Sequence, residues 1–125
     1  RMADVWNNGV PDNVWVGVSV ENQECAERRL PQLLKVPARV HFVSVEPMLG
    51  KVNLRQWLPH LEWVIAGCES GPNRRPARDD WFHALARDCF DYDVPFFLKQ
   101  TEVDGRVKQM PLLMGEVCDE MPARA

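Results

Sequence analysis

Glu21, Glu46 and Glu69 each follow a short run rich in β-branched and aromatic residues, and Lys99 ends a fourth such run. The runs are Val14-Trp15-Val16-Gly17-Val18-Ser19-Val20, Val40-His41-Phe42-Val43-Ser44-Val45, Glu62-Trp63-Val64-Ile65-Ala66-Gly67 and Val94-Pro95-Phe96-Phe97-Leu98. Two of them close on the same tripeptide, Ser-Val-Glu. If the runs are parallel strands, their C-terminal ends share one mouth, which is where α/β folds bind ligands. Carboxylates gathered there raise one another's pKa, and a lysine among them counters the effect. Such a set can hold a divalent cation or an amine, or pass a proton. Ser70 and Gln100 adjoin Glu69 and Lys99 and add neutral hydrogen-bonding groups. The candidate ligand-binding residues are therefore Glu21, Glu46, Glu69, Ser70, Lys99 and Gln100, with no catalytic role assigned. The alternative for each glutamate is a solvated carboxylate leaving the core, or one favoured by a helix N-terminus.

Other groups carry weaker signals. Gly67-Cys68-Glu69-Ser70-Gly71 reads either as a backbone nest for an anion or as a tight turn that needs two glycines. It matches neither Gly-x-Gly-x-x-Gly nor a P-loop. Arg74, Arg75 and Arg78 make a basic loop, which suits an anionic ligand or plain solvent. Cys68 sits at the expected mouth, but no paired histidine is apparent, which favours an inert small residue. The four cysteines, at 25, 68, 89 and 118, lack the close spacing of zinc or iron–sulfur sites. They read as reduced thiols in a cytoplasmic protein, with no metal and no disulfide. Trp15, Trp57, Trp63 and Trp81 fall in periodic apolar patterns and read as core. His41, His60 and His83 read as structural or exposed.

The elements that must position these residues alternate. Residues 22–35 carry Ala26, Leu30, Leu33 and Leu34 near helical spacing, with Asn22 as N-cap. Residues 53–61 suggest a short helix through Leu54, Trp57, Leu58 and Leu61. Asp79 or Asp80 caps a helix to about Asp91, with Trp81, Leu85, Ala86 and Phe90 on one face. Strands separated by helices imply crossovers and a parallel sheet. The expected fold is α/β, with four parallel strands and crossover helices: half of a TIM-like barrel or a small open parallel sheet. The first run lacks clean alternation and reads as a strand covered on both faces.

Residues 1–100 form the expected α/β unit, and 101–125 a C-terminal extension with turns at Val103-Asp104-Gly105-Arg106-Val107 and Met114-Gly115-Glu116. Asn7-Asn8-Gly9 is a further turn signal near the start. Four strands would leave two open edges, and open edges invite pairing with another chain.

Composition sets the class. The 125 residues are 46% hydrophobic and 26% charged, a globular balance. The net charge of −3 argues against an electrostatic grip on nucleic acid, although the arginine loop keeps a nucleic-acid module as a weak alternative. No run of 18 apolar residues predicts a membrane span, and no charged-then-apolar leader opens the chain.

The strings Asn13 to Gln23, Ser44-Val45-Glu46-Pro47-Met48-Leu49-Gly50, Trp63 to Gly71 and Val94 to Gln100, in that order, resemble a largely uncharacterised bacterial and phage family of radical-SAM-like proteins. The endings Met114-Gly115-Glu116 and Asp119-Glu120-Met121-Pro122 are similar to that family's C-terminal end. The resemblance implies a barrel of β/α units. It also implies that an N-terminal half, absent here, carries a three-cysteine motif for a [4Fe–4S] cluster that cleaves S-adenosylmethionine. Arg1-Met2-Ala3 resembles mid-domain sequence, so this chain looks like the family's C-terminal, substrate-side half. Cys68 stands where the family's turn has a second glycine.

The expectation is an enzyme half that is inactive alone, holds no cofactor itself and associates with the missing half or with itself through an open edge. A noncatalytic half-barrel interaction module or remnant is the alternative.

Overall fold

A computed structural model describes residues 10–103, 105–109, 112–113 and 116–122. The turn signals at Asn7-Asn8-Gly9 and Met114-Gly115 lie outside the described residues, as does Arg1-Met2-Ala3. Strands β1 (Val16–Ser19), β2 (His41–Val45), β3 (Trp63–Gly67) and β4 (Phe96–Val103) pair in chain order, each parallel to the next. Strand β5 (Arg106–Gln109) returns antiparallel to β4. Helix α1 (Gln23–Leu33) joins β1 to β2, and helix α2 (Asp79–Asp91) joins β3 to β4. A separate two-residue ribbon pairs β6 (Leu112–Leu113) with β7 (Glu116–Val117). The protein is thus mixed α/β, built on a mostly parallel five-strand sheet.

Alternation along the strands separates two faces. Val43, Val45, Val64, Ala66, Phe96 and Leu98 are at most 3% exposed. They belong to one core with Ala26, Leu30 and Leu33 of α1 and Phe82, Leu85 and Cys89 of α2. Burying a large aliphatic or aromatic side chain contributes about 1.5–3 kcal/mol, so this face carries much of the stability. The opposite face presents Gly17, Phe42, Ser44, Trp63, Ile65 and Phe97, all only half-buried. Its lower half is aromatic: Trp63 makes edge contacts with Trp15 at 6.0 Å and Phe97 at 6.3 Å, and a tilted one with Phe42 at 5.8 Å.

The structure corrects several expectations. The first strand is not covered on both faces: Val16 and Val20 are buried, but Ser19 is exposed. It is an edge strand, paired on one side only among the described residues. The helix expected over 53–61 is a turn followed by a 3-10 segment, Leu58–His60. Pro59 lacks the N–H that an α-helix would bond back to residue 55. Leu54, Trp57, Leu58 and Leu61 are buried nonetheless, and Arg55 ties the segment to α2 through Asp88 at 2.8 Å and the Tyr92 ring at 5.1 Å. Asn22 caps α1 as expected, accepting from the Cys25 N–H. At α2 the N-cap is Arg78, with no side-chain cap bond; Asp79 and Asp80 lie in the first turn.

The expected turn at 103–107 is the β4–β5 hairpin, with Gly105 at φ 76°. Strand β4 runs to Val103, so the division drawn at residue 100 falls inside a strand. The sheet therefore has a fifth strand, and the outer edge of β4 is covered along both halves. β5 pairs with 100–103, while the Leu98 N–H donates to Cys118 O and the Glu120 N–H to Phe96 O. The indole N–H of Trp63 also donates to Glu120 O at 2.9 Å, pinning the tail.

Candidate functional site

The four expected mouth residues lie at the same end of the sheet. Glu21, Glu46 and Glu69 lie beyond the ends of β1, β2 and β3, whereas Lys99, expected at the end of its strand, lies inside β4, next to the Gln100 that pairs with Gly67 at the end of β3. The loop after β2 is stitched across this end. The Met48 N–H donates to Gly67 O and the Leu49 N–H to Glu21 O, both at 2.9 Å. Those bonds fix the backbone from which Glu46 projects.

Glu46 and Lys99 form the centre. Lys99 Nζ lies 3.0 Å from Glu46 Oε2, and Ser44 Oγ donates to Glu46 Oε1 at 3.2 Å. Ser44 and Glu46 are two apart on an extended chain, so both face the same way. Between the two partners runs β3, ending in Gly67. A Cβ there would stand 3.3 Å from Glu46 Oε2 and 3.6 Å from Gln100 Cγ. The missing side chain is what lets the carboxylate lie over the strand. The pair stays accessible, with the Lys99 side chain 49% exposed and that of Glu46 25%.

The other two glutamates have their own partners. Glu69 accepts three bonds from Arg75: from the backbone N–H at 2.8 Å, Nε at 3.2 Å and Nη2 at 2.6 Å. These bonds hold its pKa down to about 2 from an ordinary 4.5. The negative charge of Glu21 also acts on Arg75. Glu21 itself accepts from the Cys25 thiol at 3.3 Å and lies 4.0 Å from Arg29, whose guanidinium donates to Ser19 O at 2.6 Å. Ser70 is exposed beside Glu69. Gln100 is buried and committed: its Nε2 donates to Cys68 O at 2.7 Å, and its Oε1 accepts from Gln109 at 3.1 Å. It braces β3 against β5.

Of the six candidates, then, Glu46 and Lys99 meet. Glu69 and Glu21 stand apart with guanidinium or thiol partners, and Gln100 is structural. Sequence reasoning missed Ser44 and Arg75 as partners. Ser44 was visible in principle, through strand alternation with Glu46. Arg75 is brought back to Glu69 by the loop between them, and no short-range rule anticipates that.

The arginine loop is not a free basic patch. Arg74 pairs with Glu102 at 2.6 Å, Arg75 with Glu69, and Arg78 with Asp80 at 3.0 Å. Cys25, Cys68 and Cys89 are buried and unbridged. Burial pushes the thiols of Cys68 and Cys89 up, away from the reactive thiolate. His41 is held between Val36 O at 2.6 Å and the Glu62 carboxylate at 3.4 Å, and His83 sits 3.0 Å from Asp79.

A shallow groove of about 690 Å³, lined by Trp15, Val40 and Met121 with Asp12 and Arg39, opens at the opposite, N-terminal end of the strands. It holds few groups suited to chemistry. The mouth does: Glu46 can accept from an amine or hydroxyl, and Lys99 can donate to a carboxylate or phosphate oxygen.

No helix among the described residues is long and apolar enough to cross a membrane. No curated protein matches the chain, and no solved structure does. Residues 1–122 match the family model described as a protein of unknown function, DUF5131, and the chain belongs to that family.

Proposed function

We propose that this chain is the C-terminal, substrate-side part of a β/α-barrel enzyme of the radical-SAM-like kind, inactive alone, in which Glu46 and Lys99 orient the substrate. The observation that carries this reading is the 3.0 Å Glu46–Lys99 pair, built from β2 and β4 over Gly67 at the ligand-binding end of a parallel sheet. The half-barrel reading is supported by β1 to β4, which add in chain order, each parallel to the last, with α1 and α2 packed on the same face.

The cluster that the resemblance implies would supply one-electron cleavage of S-adenosylmethionine when bound. This chain's residues do not fit it. Cys25 lies in the first turn of α1, Cys68 follows β3 and Cys89 lies on the buried face of α2. Among the described residues no three His, Cys, Asp or Glu gather around a common point. The role of this chain is binding and orientation, with Glu46 as acceptor and Lys99 as donor.

The test is anaerobic iron–sulfide reconstitution, on this chain alone and on a longer polypeptide joining it to a segment with closely spaced cysteines. Only the longer polypeptide is expected to take up a cluster and cleave S-adenosylmethionine. Lys99→Ala in that polypeptide is expected to impair substrate turnover more than cofactor cleavage. Cluster uptake and cleavage by the present chain as a stable monomer would overturn the reading.

A second reading, a noncatalytic interaction module, is favoured by the outer side of β1, unpaired among the described residues, and the half-buried aromatic face beside it. It predicts self-association by light scattering without any activity. The nucleic-acid alternative is weakened by the pairing of Arg74, Arg75 and Arg78 with acids. Binding that falls steeply with salt would restore it.

A further inference from the structure

The pairing of β3 with β4 is irregular where the two strands reach the mouth. The register runs Val64 to Phe96, Ile65 to Phe97 and Ala66 to Leu98, then skips so that Gly67 faces Gln100. Lys99 is therefore an extra residue on β4, with no register partner on β3. Bulges of this kind re-aim a side chain and are common beside active sites. Here the extra residue is the lysine that reaches Glu46 at 3.0 Å, over a floor left bare by Gly67. Glu21 and Glu69 face the guanidinium groups of Arg29 and Arg75, whereas Glu46 shares its charge with this half-exposed lysine. The next row of the same face is largely apolar. Ser44, Ile65 and Phe97 are register partners across β2, β3 and β4. They lie two residues, or about 6.6 Å, below the level of Glu46 and Gly67. Ile65 and Phe97 are half-buried, and the Phe97 ring continues into the Trp63 cluster. A charged head and an apolar wall thus stand one side-chain length apart on one surface.

We propose that this surface binds a free α-amino acid with a large apolar side chain, its ammonium on Glu46, its carboxylate on Lys99 and its side chain on Ile65 and Phe97. The proposal rests on the reading of Glu46 and Lys99 as the pair that orients the ligand, and adds the ligand's chemical class. The charges select the head. A ligand with a single charge must break the pair and leave one member without its partner. A zwitterion inserts between the two and returns an opposite charge to each. An α-amino acid carries its two charges one carbon apart, which suits a donor and an acceptor already in contact. Ser44 Oγ donates to the far carboxylate oxygen at 3.2 Å and keeps Glu46 in place, while Lys99 moves on its flexible stem to admit the ligand. The spacing of the rows selects the body. A phenylalanine ring spans the step down to Ile65 and Phe97, and the methyl group of alanine does not.

The experiment is titration of the intact chain with L-phenylalanine, followed by backbone amide shifts in NMR, beside phenethylamine, 3-phenylpropionate and L-alanine. Phenethylamine lacks the carboxylate, 3-phenylpropionate the ammonium and alanine the body. Phenylalanine is expected to bind about tenfold more tightly than any of the three, with shifts gathered at Ile65, Gly67 and Lys99. Lys99→Ala should bring phenylalanine down to the level of phenethylamine, and Glu46→Gln to that of 3-phenylpropionate. The four ligands on the unaltered protein decide the matter even if a variant fails to fold. No shifts up to about 20 mM phenylalanine, binding no tighter than that of phenethylamine, or shifts gathered away from the mouth would each overturn the proposal. The reconstitution assay separates it from the reading it rests on. Phenylalanine binding, with no cofactor cleavage by the longer polypeptide, keeps this proposal and removes the radical chemistry. Cleavage without phenylalanine binding overturns this proposal and leaves that chemistry standing.

Discussion

Glu46 and Lys99 come from strands that are not neighbours, yet their charged ends meet at 3.0 Å across the glycine that ends the strand between them. Strands two apart in a sheet are separated by nearly 10 Å, so only long side chains over an empty position can bridge them. The pair is half-exposed, and exposed ion pairs contribute little to folding. Lys99→Ala and Glu46→Gln should each lower stability by less than about 1 kcal/mol, with a coupling of about 0.5 kcal/mol in the double-mutant cycle. Urea denaturation measures this. A loss of several kcal/mol would mean the pair holds the fold together rather than serving a ligand.

Gly17 is the counterpart on β1. A Cβ there would meet the Phe42 ring at 2.5 Å, so the ring lies directly over the strand. Gly17→Ala must displace it and disturb the Phe42–Trp63 contact. The expected cost is about 2 kcal/mol, with a change in near-ultraviolet circular dichroism from the aromatic cluster. Gly67→Ala should be milder in stability, because the neighbour there is the end of a flexible carboxylate. Its effect should fall on the Glu46–Lys99 geometry.

Glu69 gives a pH prediction. Its carboxyl is held down to about 2 by the hydrogen bonds from Arg75, against an ordinary 4.5. A depressed carboxyl stabilises the folded state above its unfolded pKa and loses that contribution as the pH falls toward the folded value. The contribution of Glu69 is therefore complete above about pH 4.5 and disappears toward pH 2. Arg75→Ala should flatten the acid limb of the stability curve in that window. The carboxyl carbon shift of Glu69, followed by NMR, should then titrate near 4.5.

Much of this arrangement is legible in the sequence because strands announce themselves. Four β-branched, aromatic runs and the residues that end them place Glu21, Glu46, Glu69 and Lys99 at one end without further help. What cannot be read is governed by distance along the chain. The Glu69–Arg75 clasp depends on a loop conformation, and the Gln100 brace on a hairpin partner, Gln109, whose pairing is set by β5. The segment 53–61 misleads for a different reason: its apolar spacing serves burial in an irregular loop just as well as in a helix. Its Pro59 was the warning.

The tail has a specific anchor. Trp63 donates to Glu120 O, and the backbone around Asp119 pairs with Phe97. Trp63→Phe keeps most of the aromatic packing and removes the donor. It should loosen residues 118–122 and speed proteolysis there, while costing the remainder of the fold about 1 kcal/mol. Limited proteolysis with mass mapping reads the difference. Cleavage unchanged in the variant would show that the backbone pairing alone retains the tail.

The chain-order sheet gives the molecule a direction of growth. Val16 pairs with His41, Phe42 with Trp63 and Val64 with Phe96, so no strand waits for a later one to separate it from its neighbour. During synthesis the sheet can lengthen sideways by accretion, each new strand docking on the one just laid down. The β4–β5 hairpin and the segment around Asp119 then terminate that advance by capping its front. At the rear, Arg29 occupies the carbonyl of Ser19 and so blunts one of the outward-facing polar groups of β1. Among the described residues the two flanks are thus treated unequally: strand pairing and the segment around Asp119 cover the outer side of β4, whereas at the outer side of β1 a guanidinium meets the carbonyl of Ser19.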